Sequence, residues 1–332
     1  MTATLSACGG GDTGTEEVRP ASGAHPPLGE GETLASRIGD ARSPADATVF
    51  RTNTVAGLLA SENETTEALS PERKMEVRMF RAASGDEWPT VAITWEGDTV
   101  TFEPEHTRDL EFDVEYQINC SNDPAPSQCA ETQKGWANYV LWGWGGDFED
   151  YADGTADHEY HIPFNAIFPR PAEDMGRNTY LSAVIGSETA ANALPSATAE
   201  YRGGAGVRFF PPGGWEGHEL FLSNLTLTAE FAENTVSGVM DNWRLWPEEG
   251  EEYSGLVYTV NSAPITGNGF TATITPAADC EGCWPLESSA LSGTFYGPSA
   301  EEAGGTIRGV IGKEGGDRAG WVGSGVFFSA AE

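Results

Sequence analysis

Basic residues are scarce. Lys and Arg total 18 against 51 Asp and Glu, for a formal net charge of −33. Such a surface repels phosphate backbones and anionic lipid, which speaks against nucleic-acid binding and against a basic membrane-surface helix. Long apolar runs are also missing: no stretch approaches the roughly 18 residues that a membrane-spanning helix needs. Long helices find no room, because 41 Gly and 20 Pro punctuate the 332 residues. Catalytic signatures are absent as well. There is no Gly-x-Ser-x-Gly elbow and no Gly-rich loop opening a helix, and the five His are scattered. Carboxylates are so numerous that an imagined glycosidase pair carries no weight. What remains is a chain that is 39% hydrophobic, enough for a sizeable core. It reads as acidic, Gly-rich and all-β, mainly antiparallel.

Only five Cys are present, and their placement is informative. Cys120 and Cys129 flank a turn-rich stretch, and Cys280 and Cys283 form Cys-Glu-Gly-Cys in a polar loop. Two local pairs in loops predict two disulfides and an oxidising compartment. The fifth, Cys8, ends Leu5-Ser6-Ala7-Cys8 and precedes three glycines. An apolar residue, two small residues and a Cys resemble a bacterial lipobox, whose thiol receives a diacylglycerol anchor. Residues 1–8 then read as the remnant of a signal peptide that starts further upstream. Residues 9–45, rich in Gly, Pro, Glu, Ser and Ala, read as a disordered tether.

From there a β-rich region is expected over 46–196. Val55-Ala56-Gly57-Leu58-Leu59 suggests one or two helical turns. Met75, Val77 and Met79 alternate as in a strand. Val91, Ile93 and Trp95, then Glu96-Gly97-Asp98, then Val100 and Phe102 give a hairpin pattern. Leu110, Phe112, Val114 and Tyr116 alternate with acidic residues, as in a half-buried strand. An apolar strand from Tyr180 to Gly186 runs into a small-residue linker, Ser187 to Ala197, which places a domain boundary at 196/197. Eight strand-like segments follow, at 197–210, 219–231, 235–245, 254–262, 269–275, 288–296, 304–312 and 320–329. Eight antiparallel strands in sequence can close into an up-and-down barrel over 197–332; a sandwich is the alternative. Glycines within strands, such as Gly293, Gly309, Gly323 and Gly325, favour the strongly curved barrel.

Other constellations resolve to structure rather than chemistry. His158-Glu159-Tyr160-His161 has its two His three apart in an extended stretch, so the helical zinc-protease geometry fails. The acidic loop from Asp147 to Asp157 lacks the ligand register of an EF-hand. Cys280 and Cys283 have redox-motif spacing but no helix N-terminus to lower a thiol pKa. No metal and no cofactor is expected. Trp142, Trp144, Trp215, Trp243 and Trp246 lie near turns, where binding loops occur, and Trp142, Trp144, Trp243 and Trp246 are the candidate ligand contacts.

The segment Gly293-Thr294-Phe295-Tyr296-Gly297-Pro298-Ser299-Ala300-Glu301-Glu302-Ala303-Gly304-Gly305 is more specific. It resembles the barrel signature G-x-F-Y-G-P-x-A-x-E-x-G-G of the transferrin-binding protein B family of Gram-negative surface lipoproteins. Supporting pieces are Ala199 to Gly204, Leu227 to Phe231 and Gly323 to Phe327. The resemblance covers about 195–330 well and 136–195 loosely. It implies a β-rich handle-like domain followed by an eight-stranded barrel, lipid-anchored at the outer membrane and displayed on the cell surface. It also implies capture of a protein or small solute, with haem or an iron carrier in view. Transferrin itself is not implied: the chain has room for one lobe where the transferrin receptors have two, and their transferrin-contacting loops have no counterpart. A secreted β-scaffold hydrolase and a structural envelope lipoprotein without ligand are the alternatives.

Overall fold

The computed structural model describes residues 28, 34–52, 55–61, 65–66, 75–81, 89–95, 98–103, 107–109, 114–119, 138–142, 160–169, 177–214, 216–246, 252–253 and 255–332. A short helix, α1 (Leu34–Asp40), comes first. The strands that follow are β1 (Thr48–Thr52), β2 (Val55–Ser61), β3 (Thr65–Thr66), β4 (Met75–Phe80), β5 (Thr90–Trp95), β6 (Asp98–Phe102), β7 (Thr107–Asp109), β8 (Val114–Asn119), β9 (Asn138–Trp142), β10 (His161–Pro169) and β11 (Arg177–Gly186). They form two antiparallel sheets, ordered β1-β4-β5-β6 and β3-β2-β11-β10-β9-β8-β7.

The first sheet follows the sequence pattern closely. Met75, Val77 and Met79 are buried and alternate with half-buried Glu76 and Arg78. β5 and β6 form the expected hairpin, with Trp95 opposite Asp98. One core joins the two sheets: Val77, Ile93 and Phe102 pack in the same cluster as Phe164, Leu181 and Ile185.

Two expectations are corrected here. Val55 to Leu59 is not helical but part of β2, which pairs with β11 along Val55–Ser61. A short apolar run cannot be assigned by periodicity alone, and the open edge of β11 decides it. The tether does not extend to residue 45. Leu28, Leu34 and Ile38 are buried in the first core, and Arg81 donates its backbone N–H to Ala41. Leu34 and Ile38 stand at i and i+4, one face of a helix that is too short to give a strong signal. Leu110 and Phe112 lie outside the described residues, as do Cys8, Cys120, Cys129, Trp144 and the 147–157 loop; of Trp142 only the strand backbone is described.

The second half comprises β12 (Thr198–Phe210), β13 (Glu219–Glu230), β14 (Thr235–Trp246), β15 (Glu252–Tyr253), β16 (Tyr258–Thr266), β17 (Gly269–Ala272), β18 (Ile274–Pro276), β19 (Leu286–Tyr296), β20 (Glu302–Ile311) and β21 (Val322–Ala331). Strands β14-β13-β12-β21-β20-β19-β17-β16 pair in that order, and β16 pairs back onto β14. The sheet closes as an eight-stranded antiparallel barrel, not a sandwich. All eight segments read from the sequence are present; β18 continues β17 beyond a break at Thr273, and β15 is an added edge.

The linker between the halves is tied down. Thr189 is buried, its N–H donates to the Phe295 carbonyl (2.8 Å) and its hydroxyl to the Gly297 carbonyl (2.7 Å). β11 is covered on both faces, so its residues from Tyr180 to Ile185 are all buried and the alternation disappears. Leu181, Ala183 and Ile185 face the first core, while Val184 packs with Tyr296 and Val326 of the barrel.

Candidate functional site

The family-like motif sits where the barrel meets the N-terminal sheets. β19 delivers Phe295 into the barrel core and Tyr296 outward, as neighbouring positions of a strand must. Gly297, at φ +90°, turns the chain with Pro298, and Ala300 also adopts a positive φ of 63°. The Ala300 carbonyl accepts from the Tyr201 hydroxyl at 2.7 Å, and Glu301 accepts from the Ser299 N–H at 2.8 Å. β20 then begins with Glu302, whose side chain is only 4% exposed. Its carboxylate lies 2.6 Å from Nδ1 of His161 and accepts the Tyr160 backbone N–H at 3.1 Å. The His161 ring is fully buried and stacks on Tyr296, centroids 5.1 Å apart.

Two adjacent glycines make this approach possible from opposite faces of β20. A Cβ on Gly304 would meet the His161 ring at 2.9 Å and Val184 at 3.1 Å. A Cβ on Gly305 would run into the backbone of Ser292 and Gly293. One glycine admits the N-terminal sheet and the other lets β19 and β20 close up. His161, weighed above as half of a metal pair, is engaged by Glu302. Among the described residues, no three His, Cys, Asp or Glu side chains converge as a metal site. Burial raises the Tyr296 phenol well above its ordinary pKa, and the neighbouring carboxylates of Glu188 and Glu302 add to the shift.

The barrel interior is filled rather than hollow. Tyr201, Phe221, Leu227, Phe270, Phe295 and Phe327 share one core. A cavity of about 30 Å³ remains among residues that include Phe209, Met240, Trp243, Tyr258, Trp284 and Ile307. That holds water-sized molecules, against the roughly 300 Å³ and upward of ordinary ligand pockets. Among the described residues, this cavity of the barrel interior is therefore too small for an ordinary ligand.

Away from the motif, the antiparallel strand order puts the described parts of the connections between β12 and β13, β14 and β16, β18 and β19, and β20 and β21 at one mouth of the barrel. Cys280 and Cys283 are joined by a disulfide there, with Cα atoms 5.7 Å apart, and the Val257 N–H points at both sulfurs. Next to the bridge, Trp284 exchanges hydrogen bonds with the Tyr258 hydroxyl: Trp284 N–H donates to it at 3.0 Å and the Trp284 carbonyl accepts from it at 3.3 Å. Burial pushes the Tyr258 phenol up to about 12, partly offset by the hydrogen bond from the Trp284 backbone N–H.

Of the candidate tryptophans, Trp243 and Trp246 do not form one patch. Trp243 is inside the barrel, 5% exposed and edge-on to Tyr258 at 5.4 Å. Trp246, three residues along the strand and so on the other face, is 37% exposed. The aromatic grouping missed in the sequence is Phe221, Tyr253, Trp284 and Trp321 around Arg318. It draws on four separate chain segments, and each member alone looks like an ordinary turn-flanking aromatic.

The family match is confined to the barrel, whereas the similar solved structures extend over most of the chain. Residues 194–331 match the family described as the C-lobe and N-lobe beta barrels of Tf-binding protein B. No curated protein matches the chain. Similar solved structures include a double mutant of transferrin-binding protein B, a vaccine antigen from Haemophilus parasuis Hp5. It is 17% identical, with a TM-score of 0.44 over 84% of this chain and 45% of that one. Another is the isotype 1 transferrin-binding protein B of serogroup B Neisseria meningitidis, 13% identical, with a TM-score of 0.35 over 86% of this chain and 58% of that one. The chain thus spans about half the length of these relatives. Through its barrel, residues 194–331, the chain is transferrin-binding protein B-like.

Proposed function

We propose that this protein is a non-catalytic, lipid-anchored capture protein of the Gram-negative outer membrane, displayed at the cell surface. The observation that carries the reading is the barrel match over 194–331. The lipobox-like segment ending at Cys8 supports it. In this reading Cys8 carries the diacylglycerol and the residues after it form a tether that ends before Leu28. The sheets up to about residue 196 act as a handle, and 197–332 form the barrel domain. The Cys120–Cys129 pair is the second disulfide. The ligand is a protein or small solute, of the class that includes iron carriers and haem; transferrin is the ligand named for the relatives.

Since the barrel interior is packed, the handle and the barrel mouth offer the contact surface. The charge of −33 favours a partner with a basic face. The test is to express the chain behind a complete lipoprotein signal peptide in a Gram-negative host with a clickable fatty acid. Label on the wild type, none on Cys8→Ser, and digestion by protease added to intact cells are the results expected. An unlabelled wild type, or full protection from protease, contradicts anchoring or display respectively.

A further inference from the structure

At the barrel mouth, Arg318 is enclosed by aromatic rings. Its guanidinium lies 4.9 Å from the ring centroid of Trp284, 5.6 Å from Phe221 and Tyr253, and 5.8 Å from Trp321. Glu219 receives it in a fork, Nε to one oxygen at 2.7 Å and a terminal nitrogen to the other at 3.1 Å. The same nitrogen donates to the Tyr253 hydroxyl at 3.2 Å. Rings around a cation, closed by a bidentate carboxylate, make a recognition geometry for guanidinium groups.

Two further features separate this cluster from an ordinary core contact. The pair is open to water, with 21% of the Arg318 and 25% of the Glu219 side chain exposed; at the handle joint the figures for His161 and Glu302 are 0% and 4%. The cation is also carried by a loop of its own. Between β20 and β21 the chain takes positive φ at Gly316 (64°) and Gly320 (78°), on either side of Arg318. The backbone bonds donated from Gly315 to Trp321 go to residues of that loop or to Ile311. Glu219, Phe221, Tyr253 and Trp284 belong to other strands and loops and would stay in place if it swung away.

We propose that the barrel mouth is a guanidinium-recognition site for an arginine side chain of a basic protein partner, with Arg318 holding the site until that side chain displaces it. This rests on the reading of the protein as a capture module and names the chemistry of its partner. A chain with a net charge of −33 draws such partners in, while the cage supplies the choice that diffuse charge does not.

The probe is N-acetyl-arginine amide, titrated by calorimetry and tryptophan fluorescence at fixed ionic strength against the full chain. Arg318→Ala should bind it at least tenfold more tightly than wild type. Adding Glu219→Gln to that variant should cost at least tenfold, although it changes the net charge by a single unit. Arg318→Lys, which keeps the loop and a cation in place, should be intermediate. Equal binding by wild type and both Arg318 variants, or indifference to Glu219→Gln, overturns the proposal. Capture of a protein partner that Glu219→Gln leaves unchanged also overturns it, while leaving the capture reading intact; failure to capture any partner strikes that reading instead.

Discussion

The carboxylate of Glu302 and the imidazole of His161 meet at 2.6 Å with both side chains removed from water. One belongs to the first position of β20 and the other to the first position of β10, so this buried pair ties the barrel to the N-terminal sheets alongside the packing of Val184 on Tyr296 and Val326. The acidic position of the motif is thereby explained by docking rather than by ligand contact.

Removing half of that pair should loosen the joint. A buried polar group left without its hydrogen-bond partner typically costs about 1–3 kcal/mol. Glu302→Ala in the full chain is expected to lower the melting temperature and to make a site between residues 187 and 197 accessible to protease. An unchanged melt and an intact linker would show that the joint does not depend on the pair.

The paired glycines should separate by consequence. Gly304→Ala pushes a methyl group toward a side chain, the His161 ring, so the handle should detach more readily while the barrel keeps its β spectrum. Gly305→Ala pushes one into the backbone of Ser292 and Gly293, where nothing can yield cheaply, so the barrel itself should lose stability by roughly 1–3 kcal/mol. Identical proteolysis patterns for the two variants would contradict the division of labour.

Much of this was legible from sequence. Eight strand segments and the Gly-x-Phe-Tyr-Gly-Pro pattern located the barrel, because short strand-like segments recur and each turn between them carries its own Gly, Pro or Asn. The His161–Glu302 pair was not legible: the partners are separated by 141 positions, and only the docking of β10 on β20 brings them together. The Arg318 cage escaped for the same reason. α1 escaped because two turns carry too few apolar positions to outweigh a Gly- and Pro-rich setting. Trp243 and Trp246 were grouped by proximity in sequence, whereas an odd spacing on a strand sends them to opposite faces.

Those two tryptophans give a direct contrast. Trp243→Ala should destabilise the barrel by about 3–5 kcal/mol through the cavity it leaves. Trp246→Ala should leave the melt nearly unchanged and is the one of the pair able to alter ligand affinity without unfolding. A large stability loss at Trp246, or none at Trp243, reverses that placement.

Alkaline pH should act through buried phenols. Tyr258 ionises near 12 in the folded chain, and burial also raises Tyr201 and Tyr296. An unfolded phenol ionises near 10. Between those values the unfolded chain sheds protons that the folded chain keeps, so stability is complete below about pH 10 and falls as pH rises toward 12. Tyr258→Phe should flatten part of that decline. Stability that is flat from pH 9 to 12 would mean these hydroxyls are not buried as described.

Capture itself is tested most directly by immobilising the full chain and measuring saturable retention of protein and solute ligands from the fluids its host encounters. The eluate is read by mass spectrometry and by haem absorbance. The result expected is one partner retained with a defined affinity, which weakens as salt is raised and is released without chemical change. No saturable retention, or a ligand returned with a bond broken, would contradict a non-catalytic capture protein.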